Sequence, residues 1–302
     1  MKFILSFVLA LATVPLCVGQ IDEGRLIRMR DSLDNLLIVN PTSSAILVEK
    51  GQVEFYSFNS LLISNRFNDR DGQNSNIPGS QLYFSNISQL NFGLSKLRRF
   101  NAGIDVCFSA YRYSPDKEQT YTAVFDDGAV SALTYVGPRI RVQPFRNVRR
   151  FNIQVYSWIP VADAATQQAL NTSRVVTGAT FFYYKYILSK LAISLQANTS
   201  INIPGENSEE SATPALNLPL SFAVSYAPSQ KNIFFASGSY VRMNEDISTF
   251  MEGADSDYVM VGAGYQHIFF RTVFLNISYN TTLMARNYGT WSGLNAGIRV
   301  LL

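Results

Sequence analysis

The chain has 302 residues, with 25 Lys and Arg against 22 Asp and Glu, one His and two Cys, so its formal charge is only +3. That balance lacks the clustered basic face of a nucleic-acid surface, and 47% hydrophobic with 16% charged residues excludes disorder over most of the length. One histidine and two cysteines leave almost no room for paired-histidine catalysis or a Cys/His zinc site, and no cofactor is called for.

Residues 1–19 read as a secretory signal peptide. Met1-Lys2 supplies the positive start, Phe3 to Val18 is almost wholly apolar, and Gly19 before Gln20 offers a small residue for cleavage. A lipoprotein signal on Cys17 is disfavoured because Leu16 stands where a small residue is needed. The apolar stretch is also short for a membrane span, which takes about 20 residues. Removal of Lys2 and Cys17 leaves a charge of +2 (24 − 22) and Cys107 as the one cysteine, so no internal disulfide is expected. Residues 20–50 form a separate segment, periplasmic or a plug. Leu26, Met29, Leu33, Leu36 and Leu37 there have the spacing of a short amphipathic helix, stopped by Asn40-Pro41.

From about Gln52 the apolar residues recur at every second position. Phe100, Ala102, Ile104, Val106, Phe108 and Ala110 alternate with Asn101, Gly103, Asp105, Cys107 and Ser109. Leu191 to Ala197, Leu216 to Val224 and Val273 to Tyr279 repeat the pattern. About twelve such segments are predicted: 52–64, 81–95, 100–113, 129–142, 149–159, 175–187, 191–202, 215–226, 232–242, 258–268, 272–284 and 291–302. Many exceed the roughly five or six residues of an ordinary strand and suit the about 9–11 needed to cross a bilayer at a tilt. The predicted connections alternate long and short, beginning with a long one over 65–80, as in bacterial outer-membrane barrels.

Charge sorts with loop length. Fifteen acids fall in the long loops, among them Asp126, Asp127, Asp163, Glu209, Glu210, Glu245, Asp246, Asp255 and Asp257, whereas Lys96, Arg98, Arg99, Arg146, Arg149, Lys190, Lys231 and Arg271 occupy the short turns. Aromatic residues near strand ends (Phe145 and Phe151, Tyr156 and Trp158, Phe181 to Tyr184, Phe269 and Phe270) suit the two interfacial girdles of a membrane barrel. The last strand alternates to the final residue, as an insertion signal does, but ends in Leu302 instead of an aromatic.

Several short motifs carry a family resemblance: Asn40-Pro41-Thr42, Gly51-Gln52-Val53-Glu54, Asn101-Ala102-Gly103-Ile104-Asp105-Val106, Gly137-Pro138-Arg139-Ile140, Pro144-Phe145 and Gly297-Ile298-Arg299-Val300-Leu301-Leu302. With them the chain resembles an uncharacterised, transporter-like family of Bacteroidota outer-membrane β-barrel proteins. The resemblance implies a barrel in the outer membrane; it supplies no substrate and no functional residues.

Chemistry within the barrel is sparse. His267 lacks the nearby serine of a barrel-borne lipid hydrolase, so the protein is read as no enzyme. The acidic pairs at 126–127, 209–210 and 255–257 lack the spacing and glycine of a calcium loop, so no metal site is assigned. Gly262-Ala263-Gly264 lies within a strand and is no nucleotide motif. If the apolar faces meet lipid, then Asp105, Arg139, Arg141, Arg150 and Arg299 point into the lumen. Two readings follow: a basic constriction opposing Asp105 that favours anionic or zwitterionic solutes, or an internal salt-bridge network that fills the barrel. The expected architecture is therefore all-β: an antiparallel transmembrane β-barrel of about twelve strands over 51–302, preceded by the short helical segment. Its expected role is a passive or gated channel; a surface-binding barrel with a filled lumen is the rival. Its expected partners are outer-membrane lipid, lipopolysaccharide, the barrel-assembly machinery and a small solute, with no nucleic acid.

Overall fold

The structure, a computed structural model, describes residues 47–115, 121–145, 148, 150–205, 213–250, 253–269 and 272–302, all within one compact unit, Ile38–Leu302. The signal peptide and the helix expected over 26–37 lie outside the described residues.

The alternating segments form twelve strands: β1 (Val53–Asn68), β2 (Asn74–Gly93), β3 (Phe100–Ser114), β4 (Val130–Val142), β5 (Phe151–Pro160), β6 (Arg174–Leu188), β7 (Leu191–Pro204), β8 (Ala215–Tyr226), β9 (Asn232–Asn244), β10 (Ser256–Phe269), β11 (Val273–Arg286) and β12 (Tyr288–Leu301). Each pairs antiparallel with its sequence neighbours, and β1 pairs β12 from Glu54↔Leu301 to Asn68↔Tyr288, closing the barrel. Closure leaves no sheet edge, so each strand has a neighbour on both sides to pair with.

The period of two sets what faces where. Leu220, Phe222, Val224 and Tyr226 of β8, and Leu275, Ile277 and Tyr279 of β11, are exposed large apolar side chains on the outer face. Ser225 of β8, Asn276 and Ser278 of β11, and Asn295 and Arg299 of β12 are buried polar residues on the inner face. The arrangement inverts that of a soluble barrel, whose apolar side chains would fill the interior.

Two connections depart from expectation. The first is not long: β1 and β2 extend to Asn68 and Asn74, joined by a tight turn in which Asp69 Oδ1 accepts from the amides of Asp71 (3.0 Å) and Gln73 (2.8 Å). A local carboxylate turn thus replaces a sixteen-residue loop, and both strands run past the ends of their apolar pattern. Asp257, placed in a long loop by its acidic neighbours, lies in β10 and pairs with Arg286 of β11.

The β3–β4 connection folds back over the outside of the wall. Its 3-10 turn, Tyr121–Phe125, buries Val124 completely against outward-facing Leu82 and Ala110. Arg112 holds the turn by donating to the Ala123 carbonyl (2.9 Å) and pairing with Asp126 (3.4 Å). In the β5–β6 connection, a short helix α1 (Ala164–Ala169) is capped by Asp163, which accepts from the Thr166 amide (3.0 Å) and hydroxyl (2.6 Å).

The weakest seam is between β4 and β5. Pairing skips from Val136↔Ile159 to Arg139↔Tyr156. Pro138 has no N–H to give, and Gly137 lies so close to the Ser157 carbonyl oxygen that a Cβ there would meet it at 1.6 Å.

Candidate functional site in the barrel interior

The densest cluster of buried charge lies on the inner wall towards the short-turn end. Glu54 is the second residue of β1, and Tyr56, two residues on, stands opposite Arg299 of β12 and Gln89 of β2. Gln89 in turn stands opposite Asp105 of β3. On β4, Arg139 and Arg141 share one face because they are two residues apart, and Arg141 stands opposite Gln154 of β5. A run of strands therefore aims long polar side chains into the same layer.

Glu54 organises one half of it. Its Oε2 accepts from Arg141 Nη1 (2.7 Å) and Asn91 Nδ2 (3.1 Å), while its Oε1 accepts from Arg299 Nε (2.5 Å). Since β1 and β4 are not neighbours in the wall, the Glu54–Arg141 pair crosses the interior. Arg141 also donates Nε to Gln154 Oε1 (3.0 Å) and Nη2 to Gln89 Oε1 (3.3 Å). The Arg299 guanidinium lies over the Phe274 ring, 5.0 Å from its centroid.

Asp105 organises the other half. Arg139 grips its carboxylate with two nitrogens, Nε to Oδ1 at 2.6 Å and Nη2 to Oδ2. Trp158 Nε1 donates to Oδ2 at 2.7 Å. Tyr156 packs against Trp158 with ring centroids 4.7 Å apart and planes tilted by 36°. Glu54 and Asp105 are 0% exposed, Arg141 1%, Arg139 2% and Arg299 6%, which identifies a packed layer. Ions so far from water persist only when paired and hydrogen-bonded. Among the described residues, three guanidiniums here share two carboxylates.

Four of the five charges singled out from sequence, Asp105, Arg139, Arg141 and Arg299, occupy this layer. Arg150 does not: it precedes β5 in the β4–β5 turn, its guanidinium 5.0 Å from the Tyr186 ring centroid and 6.0 Å from that of Tyr184. Asp105 does not oppose the arginines across the lumen; it pairs sideways with its neighbour on β4. Glu54, the residue that does reach across, is not marked by sequence alternation because β1 alternates poorly: Tyr56, Phe58 and Leu62 share its face, and Ser57 and Asn59 lie on the other. Tyr156 and Trp158 are likewise corrected from girdle to interior, because even-numbered β5 residues share the face of Gln154. Phe145, Phe151 and Phe181 do form an outer aromatic cluster.

The chain leading into β1 also touches this end. Leu47 and Val48 are buried. Asn101 of β3 receives the Val48 amide (3.0 Å) and donates back to its carbonyl (2.8 Å), while Gly93 of β2 lacks the Cβ that would meet the Glu49 carbonyl oxygen at 1.7 Å.

His267 sits on the outer face of β10. Its Nδ1 is 2.9 Å from the Tyr265 hydroxyl and 2.9 Å from Asn232 Oδ1. Beside it, Phe269, Leu275 and Ile277 line a shallow apolar groove. Among the described residues no serine joins these contacts. Among the described residues, no three His, Cys, Asp or Glu side chains gather as a metal site would require.

Comparison with solved structures places the fold among outer-membrane β-barrels. An outer membrane channel from Pseudomonas putida F1 superposes with a TM-score of 0.63 at 12% identity, covering 87% of this chain and 98% of that one. The β domain of the Bordetella autotransporter BrkA superposes with a TM-score of 0.50 at 13% identity, covering 83% of this chain and 99% of that one. No protein-family model and no curated protein matches the sequence, so the barrel is the common ground and neither family nor taxon is assigned.

Proposed function

We propose that this chain is an exported outer-membrane channel, gated at its short-turn end, that passes small polar or anionic solutes and performs no covalent chemistry. The layer of three guanidiniums and two carboxylates spanning the interior from β1 to β4 carries this reading. Among the described residues the layer carries more positive than negative charge, and in a low-dielectric passage such a surplus attracts anions and repels cations. The apolar outer face fits surrounding outer-membrane lipid and lipopolysaccharide. The packed state of the layer corresponds to the closed channel, and passage requires the Glu54 contacts to Arg141 and Arg299 to separate.

A second reading, a barrel with a permanently filled interior whose acidic outer loops bind a partner, draws on the near-zero exposure of the same five residues. Proteoliposome swelling separates the two. A channel admits a small carboxylate faster than a zwitterion of equal size, and either faster than a cation; liposomes that swell no faster than protein-free controls with all three solutes would support the filled barrel.

A further inference from the structure

The outer faces of β1 and β2 carry a polar patch where every neighbouring rung is apolar. Paired rungs on this face, from the short-turn end, are Val53 with Phe92, Phe55 with Leu90, Ser57 with Ser88, Asn59 with Asn86, Leu61 with Phe84, and Ile63 with Leu82. The Ser and Asn rungs thus have two apolar rungs on either side, at the middle of the belt. Asn86 Nδ2 donates to Ser57 Oγ and Asn59 Oδ1 (both 2.8 Å), and Ser88 Oγ lies 3.1 Å from Ser57 Oγ and 2.9 Å from Asn86 Oδ1. Asn59 Nδ2 gives one hydrogen to the Ala296 carbonyl of β12, at 3.3 Å. Among the described residues, its second hydrogen has no acceptor.

Such a group facing hydrocarbon, with neither water nor headgroups at that depth, is costly. We propose that this β1–β2 face is a homodimer interface, with the Ser57, Asn59, Asn86 and Ser88 patch of one copy meeting the same patch of another. Three observations select a second copy. Copies inserted in the same direction hold the patch at the same depth, so a two-fold axis along the membrane normal brings like against like. Carboxamides and hydroxyls both donate and accept, so the patch complements itself. Ser57, Ser88 and Ala296 are small enough for two walls to approach closely, as at other membrane-embedded interfaces. Nearer the long-loop end, the folded-back turn presents Phe125, 57% exposed, beside this face.

The inference rests on the barrel lying in a membrane, and its test separates the two. Ser57→Cys, treated in outer-membrane vesicles with a short thiol-to-thiol cross-linker, is expected to give a dimer on a denaturing gel, because the barrel's own Cys107 is buried. Leu220→Cys, on the exposed face of β8, is expected to stay monomeric. Asn59→Leu/Asn86→Leu is expected to halve the particle mass in detergent while keeping the heat-modifiable migration of a folded barrel. Equal cross-linking at both cysteines, none at Ser57→Cys, cross-linking only to a different protein, or an unchanged mass for the leucine variant would overturn the dimer. Failure of the membrane reading has a different signature, release of the protein from vesicles without detergent.

Discussion

Replacing Glu54 with Gln keeps the size of the side chain and removes the charge that two buried arginines share. At an effective dielectric of about 20, each contact at 2.5–2.7 Å represents a gross attraction of about 6 kcal/mol. Most of that offsets the desolvation of the ions, and removing one partner of a buried pair typically costs about 3–5 kcal/mol. The single Gln oxygen replaces two carboxylate oxygens that face Arg141 and Arg299 separately, so one of these two contacts is lost while the layer gives up one negative charge. Chemical unfolding in detergent micelles, followed by the fluorescence of Trp158 and Trp291, is expected to show a loss of about 3–5 kcal/mol. Arg299→Gln on the Glu54→Gln background should cost much less than in the wild type, because its partner is already gone. A loss below about 1 kcal/mol, the range of an exposed pair, or full additivity of the two changes, would refute the view that Glu54 anchors the layer.

Other consequences are equally specific. Asp105→Asn should weaken the Arg139 grip and shift the emission of Trp158, whose indole N–H it accepts at 2.7 Å, with the Trp158→Phe variant as the control that removes the signal. Gly137→Ala should open the β4–β5 seam and cost about 1–3 kcal/mol or more, seen as loss of the heat-resistant folded band on a gel. Arg150→Ala should lower stability by about 1 kcal/mol or less through its lost tyrosine contacts and leave solute passage unchanged, since it lies outside the layer. The Asp163 carboxyl, held below the usual carboxylate range by the Thr166 hydroxyl and amide it accepts, should cap α1 at neutral pH. Because the folded state lowers its pKa, the cap's contribution is complete above about pH 4 and fades as pH falls through the lowered value; the Thr166 amide resonance should report it, and Asp163→Ala should abolish the transition.

Alternation exposed the barrel because each strand repeats one decision, apolar out and polar in, many times over. Where that alternation is clean, as in β3 and β12, it also assigned Asp105 and Arg299 to the inner face. It failed in β1, where polar Ser57 and Asn59 interrupt the outer belt and Tyr56 and Phe58 lie inward. The same irregularity hid both the central carboxylate and the polar patch. Arg150 stands apart from the layer because it lies in the turn before β5, which begins at Phe151, where its guanidinium meets Tyr184 and Tyr186 on the inner face of β6. Pairing across the interior, as between Glu54 and Arg141, depends on barrel closure and strand register, which no local pattern encodes. The outward fold of Tyr121–Phe125 depends on contacts with Leu82 and Ala110, on strands that precede it.

Planar-bilayer recording shows whether the ion-paired layer governs passage. Wild type and the Glu54→Gln/Asp105→Asn variant are compared under a salt gradient, with folding of both checked first by gel migration. Small, intermittent currents are expected for the wild type, and for the variant a larger conductance with its reversal potential displaced towards anion selectivity. Silence from both folded proteins, or conductance and reversal potentials that do not differ, would contradict that role.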